Sequence, residues 1–146
     1  MTIARTLFVF SLALWIGAVV FYSLVVLPVL FTNWDPARAG DVAALLFPMY
    51  YRAGLALGVM LLGAAIYLAL RARGPWRLVL AVVVIMVLCQ SYAALAVHPT
   101  MAALRESPAD RPRFDVLHRR SVRLNGVVLA GGLGLLLSSG YLLGRR

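Results

Sequence analysis

The chain has 146 residues, 63% of them apolar and only 13% charged, too few polar side chains to cover a water-soluble domain of this length. Its net charge of +9 comes from arginine alone, with no lysine. The arginines are scattered over the ends of apolar stretches, where membrane topology and anionic headgroups account for them, so nucleic acid is not an expected partner. Cys89 stands alone, which leaves no disulfide framework and makes it a small buried apolar residue.

Four apolar runs follow one another. The first extends from Thr6 to Phe31, interrupted only by Ser11, Ser23 and Pro28. It exceeds the roughly 20 residues a span needs, is too long for a signal-peptide core, and has no convincing small-residue cleavage site after it, so it reads as a retained span. The second, Ala43 to Leu70, contains Pro48, which either opens or kinks the helix, and Arg52. The third, Leu78 to Val97, is expected to stop at His98-Pro99. The fourth, Leu124 to Leu143, is prefixed by an interfacial helix from about Phe114. The expectation is an all-α membrane protein: one four-helix transmembrane domain over residues 1–146, with spans near 6–31, 43–70, 78–98 and 114–143. The stretch from Pro99 to Arg113 is the one long connection and the candidate functional loop.

Four spans put both termini on one side, side A, with Arg5, Arg71, Arg73, Arg77, Arg145 and Arg146 and no acid. Side B holds all five acids, Asp35, Asp41, Glu106, Asp110 and Asp115, among about eight arginines. The acid-free loop between spans two and three makes side A the cytoplasmic one, with the chain in a bacterial inner membrane. Aromatic belts fit these ends: Tyr67, Trp76 and Tyr141 near side A, Trp34, Tyr50 and Tyr51 near side B. Trp15 falls well inside the first span, as a packed or lipid-facing ring.

Small residues four apart mark close helix approach in lipid. Span four has Gly126, Ala130 and Gly134, then Gly140 and Gly144; span two has Gly54 and Gly58; span one has Ala13 and Gly17. These are expected to be packing grooves inside the bundle, or else a homo-oligomer or larger-complex interface.

The polar residues within the runs point to one end. His118, Ser121 and Asn125 share a helical face, Ser91 and His98 repeat the same seven-residue spacing, and Arg52 lies toward the same side. Polar groups at membrane depth are costly and point inward, so Gln90, Ser91 and Asn125 are expected to make interhelical hydrogen bonds. Imidazole suits haem iron, copper or zinc, yet His98 is expected to tilt into the membrane and His118 away from it, so local hydrogen bonding is the stronger reading for each. Met86 and Cys89, three apart, could offer sulfur to a soft ion but read more readily as core or lipid-facing residues. No nucleophile with a base and an orienting group is visible, and no phosphate-binding glycine loop.

Together, Trp15, the Phe47-Pro48-Met49-Tyr50-Tyr51 segment, the end of span three through Pro99, and Phe114, Leu117, His118, Ser121 and Asn125 entering span four resemble the transmembrane protein 205-like family, also described as domain of unknown function 4149. The resemblance implies a small four-helix membrane protein with Pro48, Tyr50, His118, Ser121 and Asn125 as functional positions, and supplies no activity or cofactor. Three functions compete. The first is a non-enzymatic protein whose side B cluster binds or passes a small solute or ion, or docks a partner. The second is a haem or metal redox protein, and the third an accessory subunit of a larger membrane complex.

Overall fold

The computed structural model describes residues 1–72, 74–105 and 108–140. Arg73, Glu106, Tyr141, Gly144, Arg145 and Arg146, which the sequence reading uses, lie outside the described residues. The chain forms α1 (Thr2–Phe21), a π-helical turn (Tyr22–Val26), α2 (Leu27–Asn33), α3 (Pro36–Arg71), α4 (Trp76–Tyr92), a second π-helical turn (Ala93–Val97), α5 (His98–Leu104), a short 3-10 turn (Pro108–Asp110) and α6 (Arg111–Leu137). No strand occurs among the described residues. Four continuous helical rods result, Thr2–Asn33, Pro36–Arg71, Trp76–Leu104 and Arg111–Leu137, each long and apolar enough to cross a bilayer. The protein is an all-α, four-helix integral membrane protein.

Local chemistry sets the ends of the rods. Asp35 caps α3 by accepting a hydrogen bond from the Arg38 amide at 3.0 Å, and Pro36 follows at the first helical position, where its missing N–H costs nothing. Gly74, at φ +108°, turns the chain between spans two and three in a conformation that a side chain disfavours.

Span three runs longer than expected toward side B, for an identifiable reason, and span one passes Pro28, as expected, by the same device. Pro28 and Pro99 lack the N–H of an ordinary helical turn, and their rings crowd the carbonyl four residues back. In both places the helix widens just ahead of the proline: Leu27 N–H bonds the Tyr22 carbonyl and His98 N–H bonds the Ala93 carbonyl, each five residues back. The widened turn absorbs the proline, and the helix continues. His98-Pro99 therefore does not end span three, which runs to Leu104, and most of the expected functional loop is helix. Likewise α3 begins at Pro36 and carries Pro48 in its interior, and the extension expected to prefix span four from about Phe114 is continuous with it as the beginning of α6, which starts at Arg111.

Consecutive rods pack side by side, and α6 returns to α1 to close a ring. The short connections make neighbours antiparallel. Phe8, Leu12, Trp15, Ile16, Leu61, Leu68, Val83, Met86 and Val128 fill the centre, while the outer surface is apolar as well, including Leu24, Leu45, Val59, Leu88 and Leu95. Apolar on both faces is the pattern of helices surrounded by lipid.

Glycine permits the tightest contacts. At Gly58 a Cβ would lie 3.2 Å from the Trp15 ring and 3.3 Å from Val87. At Gly54 it would collide with the Gln90 amide and lie 3.2 Å from Trp15 Nε1. Span four departs from the expectation: Gly126 and Gly134 have open space where a Cβ would be, and Ala130 is exposed. The close approach is made by Gly131, against Met86 and Val82, and by Gly132, where a Cβ would collide with Ile16. In a helix this rich in small residues, several faces carry intervals of four, and the sequence alone does not choose among them.

Gly132→Ala is expected to lower stability by about 1–3 kcal/mol through overpacking against Ile16. Gly126→Ala meets nothing and is expected to be neutral or stabilising by up to about 1 kcal/mol. Reversible unfolding in mixed micelles checks the order of the two, and the opposite order contradicts the packing described.

Candidate functional site

All four rods contribute to one cluster in the side B half of the bundle. Tyr22 opens the first widened turn and is buried. Phe47, Tyr50 and Tyr51 come from α3, one turn apart. His98 opens α5, directly after the second widened turn. Ser121 and Asn125, four residues apart on α6, face them. The rings pack continuously. Tyr22 stacks on Tyr50 with centroids 4.7 Å apart and meets Phe47 at 5.4 Å. Tyr50 and Tyr51 are 5.2 Å apart. The His98 imidazole lies between Phe47 at 5.5 Å and Tyr51 at 5.4 Å. Such tilted and offset pairs each add about 0.5–1.5 kcal/mol beyond their burial.

Hydrogen bonds tie this aromatic group across the ring of helices. Tyr50 Oη donates to Asn125 Oδ1 at 2.9 Å. Tyr51 Oη and Ser121 Oγ pair at 3.1 Å. Asn125 Nδ2 donates to the Ser121 carbonyl at 3.1 Å, which fixes the amide so that its oxygen points at Tyr50. Tyr22 Oη reaches the Ala43 carbonyl at 3.5 Å. Spans two and four are diagonal in the ring, so these contacts cross the bundle. Interhelical bonds of this kind are individually modest in lipid, about 0.6 kcal/mol on average. Leaving a buried partner unmade costs about 1–3 kcal/mol, so the network acts mainly on register.

Toward side A lies a second buried polar group. Trp15 and Gln90, from the other diagonal pair of rods, are both 1% exposed and converge on the notch at Gly54. Neither the Trp15 indole N–H nor the Gln90 carboxamide makes a hydrogen bond among the described residues, and the same holds for Ser11 Oγ. At the outermost part of side B, Arg105, just past the end of α5, pairs with Asp41 of α3.

The residues expected to act together are divided by this geometry. Ser121 and Asn125 lie in the network and His98 adjoins it. His118 is exposed and stacks on Phe114 of its own helix, centroids 6.3 Å apart and planes within 5°. The two histidines thus have different aromatic neighbours, and their contacts do not arrange a shared ligand. Arg52 is exposed on α3 and Ser91 is half-buried, neither with a hydrogen bond among the described residues. Gln90 likewise does not make the interhelical bond expected of it. Among the family-motif residues, Phe47 and Tyr50 are in the cluster, Pro48 lies between them, Pro99 follows the second widened turn, and Leu117 is half-buried on α6. Met86 is in the core and Cys89 is half-buried. Among the described residues, no three of His, Cys, Asp and Glu gather as a metal-binding group would.

Tyr22 was not picked out by sequence, and Tyr51 was placed in an interfacial belt and in the family-like segment but not among the polar cluster residues. The available signal was spacing: Tyr22 follows Trp15 by seven residues, which is the same helical face.

A double-mutant cycle on Tyr50→Phe and Asn125→Ala is expected to give a coupling of about 0.5–1.7 kcal/mol, while His118→Ala stays within about 0.5 kcal/mol of the parent. Unfolding of the purified protein in mixed micelles measures both; additive single changes contradict the cross-bundle bond.

No curated protein and no solved structure matches the chain. A family model does match, over residues 10–109. That segment holds most of span one and all of spans two and three, with Tyr22, Phe47, Tyr50, Tyr51 and His98; Ser121 and Asn125 lie beyond it. The match covers more than half of the chain, which therefore belongs to the family described as Domain of unknown function (DUF4149).

Proposed function

We propose that this membrane protein binds a small solute at the rim of the side B cluster. The observation that carries the reading is His98. Its imidazole is half-buried between Phe47 and Tyr51 and makes no hydrogen bond among the described residues. It therefore offers a donor and an acceptor beside two aromatic faces, a combination suited to a small planar or amphipathic molecule with a hydrogen-bonding edge. Tyr50 packs behind Tyr51, away from the imidazole. Below them Trp15, Leu61, Met86 and Val128, none more than 1% exposed, fill the bundle axis, which favours binding over passage. We also propose that the chain is of the transmembrane protein 205-like branch, on its segments 47–51 and 114–125, and that its termini are on the cytoplasmic side of a bacterial inner membrane, on the acid-free connection between spans two and three.

A second reading has one observation in its favour. The face of α6 bearing Gly126, Ala130 and Gly134 is turned away from the bundle, as a surface meeting another copy or a larger membrane complex would be.

A thermal-shift screen of the detergent-purified protein against small aromatic and amphipathic solutes tests the binding reading. The expected result is a solute that raises the midpoint of the parent by several degrees and has lost this effect in His98→Ala. A panel in which every solute shifts both proteins equally contradicts it.

A further inference from the structure

The first three turns of α6 concentrate positive charge that the side B cluster does not use. Between residues 111 and 123 stand five arginines and one acid, Asp115. Asp115 is engaged by Arg111, whose Nε lies 3.7 Å from its carboxylate. Arg113, Arg119, Arg120 and Arg123 are exposed, and none has an acidic partner among the described residues. At about 100° per residue, Arg113, Val116, Arg120 and Arg123 fall within about 80° of one another, on a side of α6 different from that of Ser121 and Asn125. Val116 is exposed with them.

Two further observations locate the stripe. Arg120 Nη1 donates to Tyr92 Oη at 3.0 Å, and Tyr92 is itself exposed on α4. The stripe therefore lies along the outer seam between spans three and four. In addition, α6 continues without a break from these arginines into Val127 and the apolar remainder of the span. The guanidinium groups thus stand where the helix passes from water to lipid, with Val116 among them and Val127 next along the same face. There an arginine lays its stem on acyl chains and holds its head among phosphates, whose geometry its planar fork matches. A soluble acidic protein or a nucleic acid would have to cover the exposed valines as well and would meet the bilayer on the same face.

We propose that the seam formed by Arg113, Arg120, Arg123 and Tyr92 binds the headgroup phosphate of an anionic phospholipid. The preference is for net negative charge at the membrane surface, each arginine adding to it. This does not depend on the solute reading, because the stripe and the His98 rim are on different faces.

Native mass spectrometry of the full chain in detergent, with phosphatidylglycerol or phosphatidylcholine added, tests the assignment. The parent is expected to retain phosphatidylglycerol on the order of tenfold better than phosphatidylcholine. The R113K/R120K/R123K variant keeps most of that preference, R113Q/R120Q/R123Q loses it, and R71Q/R77Q at the other end of the bundle keeps it. The single R123Q change leaves the Arg120–Tyr92 bond in place and loses part of the preference, so the assignment stays testable if the triple variant does not fold. Equal retention of the two lipids by the parent overturns the proposal, as does full preference in R123Q or in the glutamine triple variant. Displacement of the lipid by inorganic phosphate or polyglutamate at matched charge also overturns it, by showing that the seam takes anions without a lipid.

Discussion

Hydrogen-bonding groups placed inside a lipid-embedded bundle are costly to leave without partners in the protein, because the hydrocarbon supplies none. That constraint organises the side B half of this molecule. Tyr50 and Tyr51 meet Asn125 and Ser121 across the diagonal of the helix ring, and the Asn125 amide is held in turn by its own helix. Sliding span two against span four by one residue would break both contacts at once. The polar pairs therefore specify a register that apolar packing alone, nearly uniform along such helices, would leave open.

Packing below the network follows from the same register. With Tyr50 fixed, Gly54 lies one turn further along α3 and receives Gln90 and Trp15, and Gly58 one turn beyond that receives the far edge of the Trp15 ring. The two widened turns serve the upper half. By absorbing Pro28 and Pro99 they let spans one and three continue past the point where a proline would stop them. Tyr22 and His98, at the edges of these two turns, pack against the α3 aromatics. Leu30, Ala39 and Ala43 then close a small apolar core between α2 and the start of α3.

Much of the architecture was legible in the sequence. Four apolar runs with short connections leave little choice but a four-helix bundle in a membrane, and Asn125 with Ser121 on one face pointed to the side B half. The rest was hidden for specific reasons. At His98-Pro99 proline is read as a helix stop, yet a π-helical turn accommodates it, so the extension at α5 was missed, whereas the first run was carried through Pro28 to Phe31, close to its observed end at Asn33. A glycine-rich helix offers several equivalent small-residue faces, so the inward one, Gly131 and Gly132, was not chosen. His98 and His118 look alike as letters; only the fold puts one among Phe47 and Tyr51 and leaves the other on the outside against Phe114.

The central claim is that Tyr50 reaches across the bundle to Asn125 in the membrane. The chain has six tyrosines and two asparagines, Asn33 and Asn125, which suits solid-state NMR of protein labelled with 13C at tyrosine Cζ and 15N at asparagine Nδ2 in lipid bilayers. The account predicts a through-space tyrosine–asparagine cross peak that disappears in Tyr50→Phe. No cross peak, or one that persists in Tyr50→Phe, would contradict it.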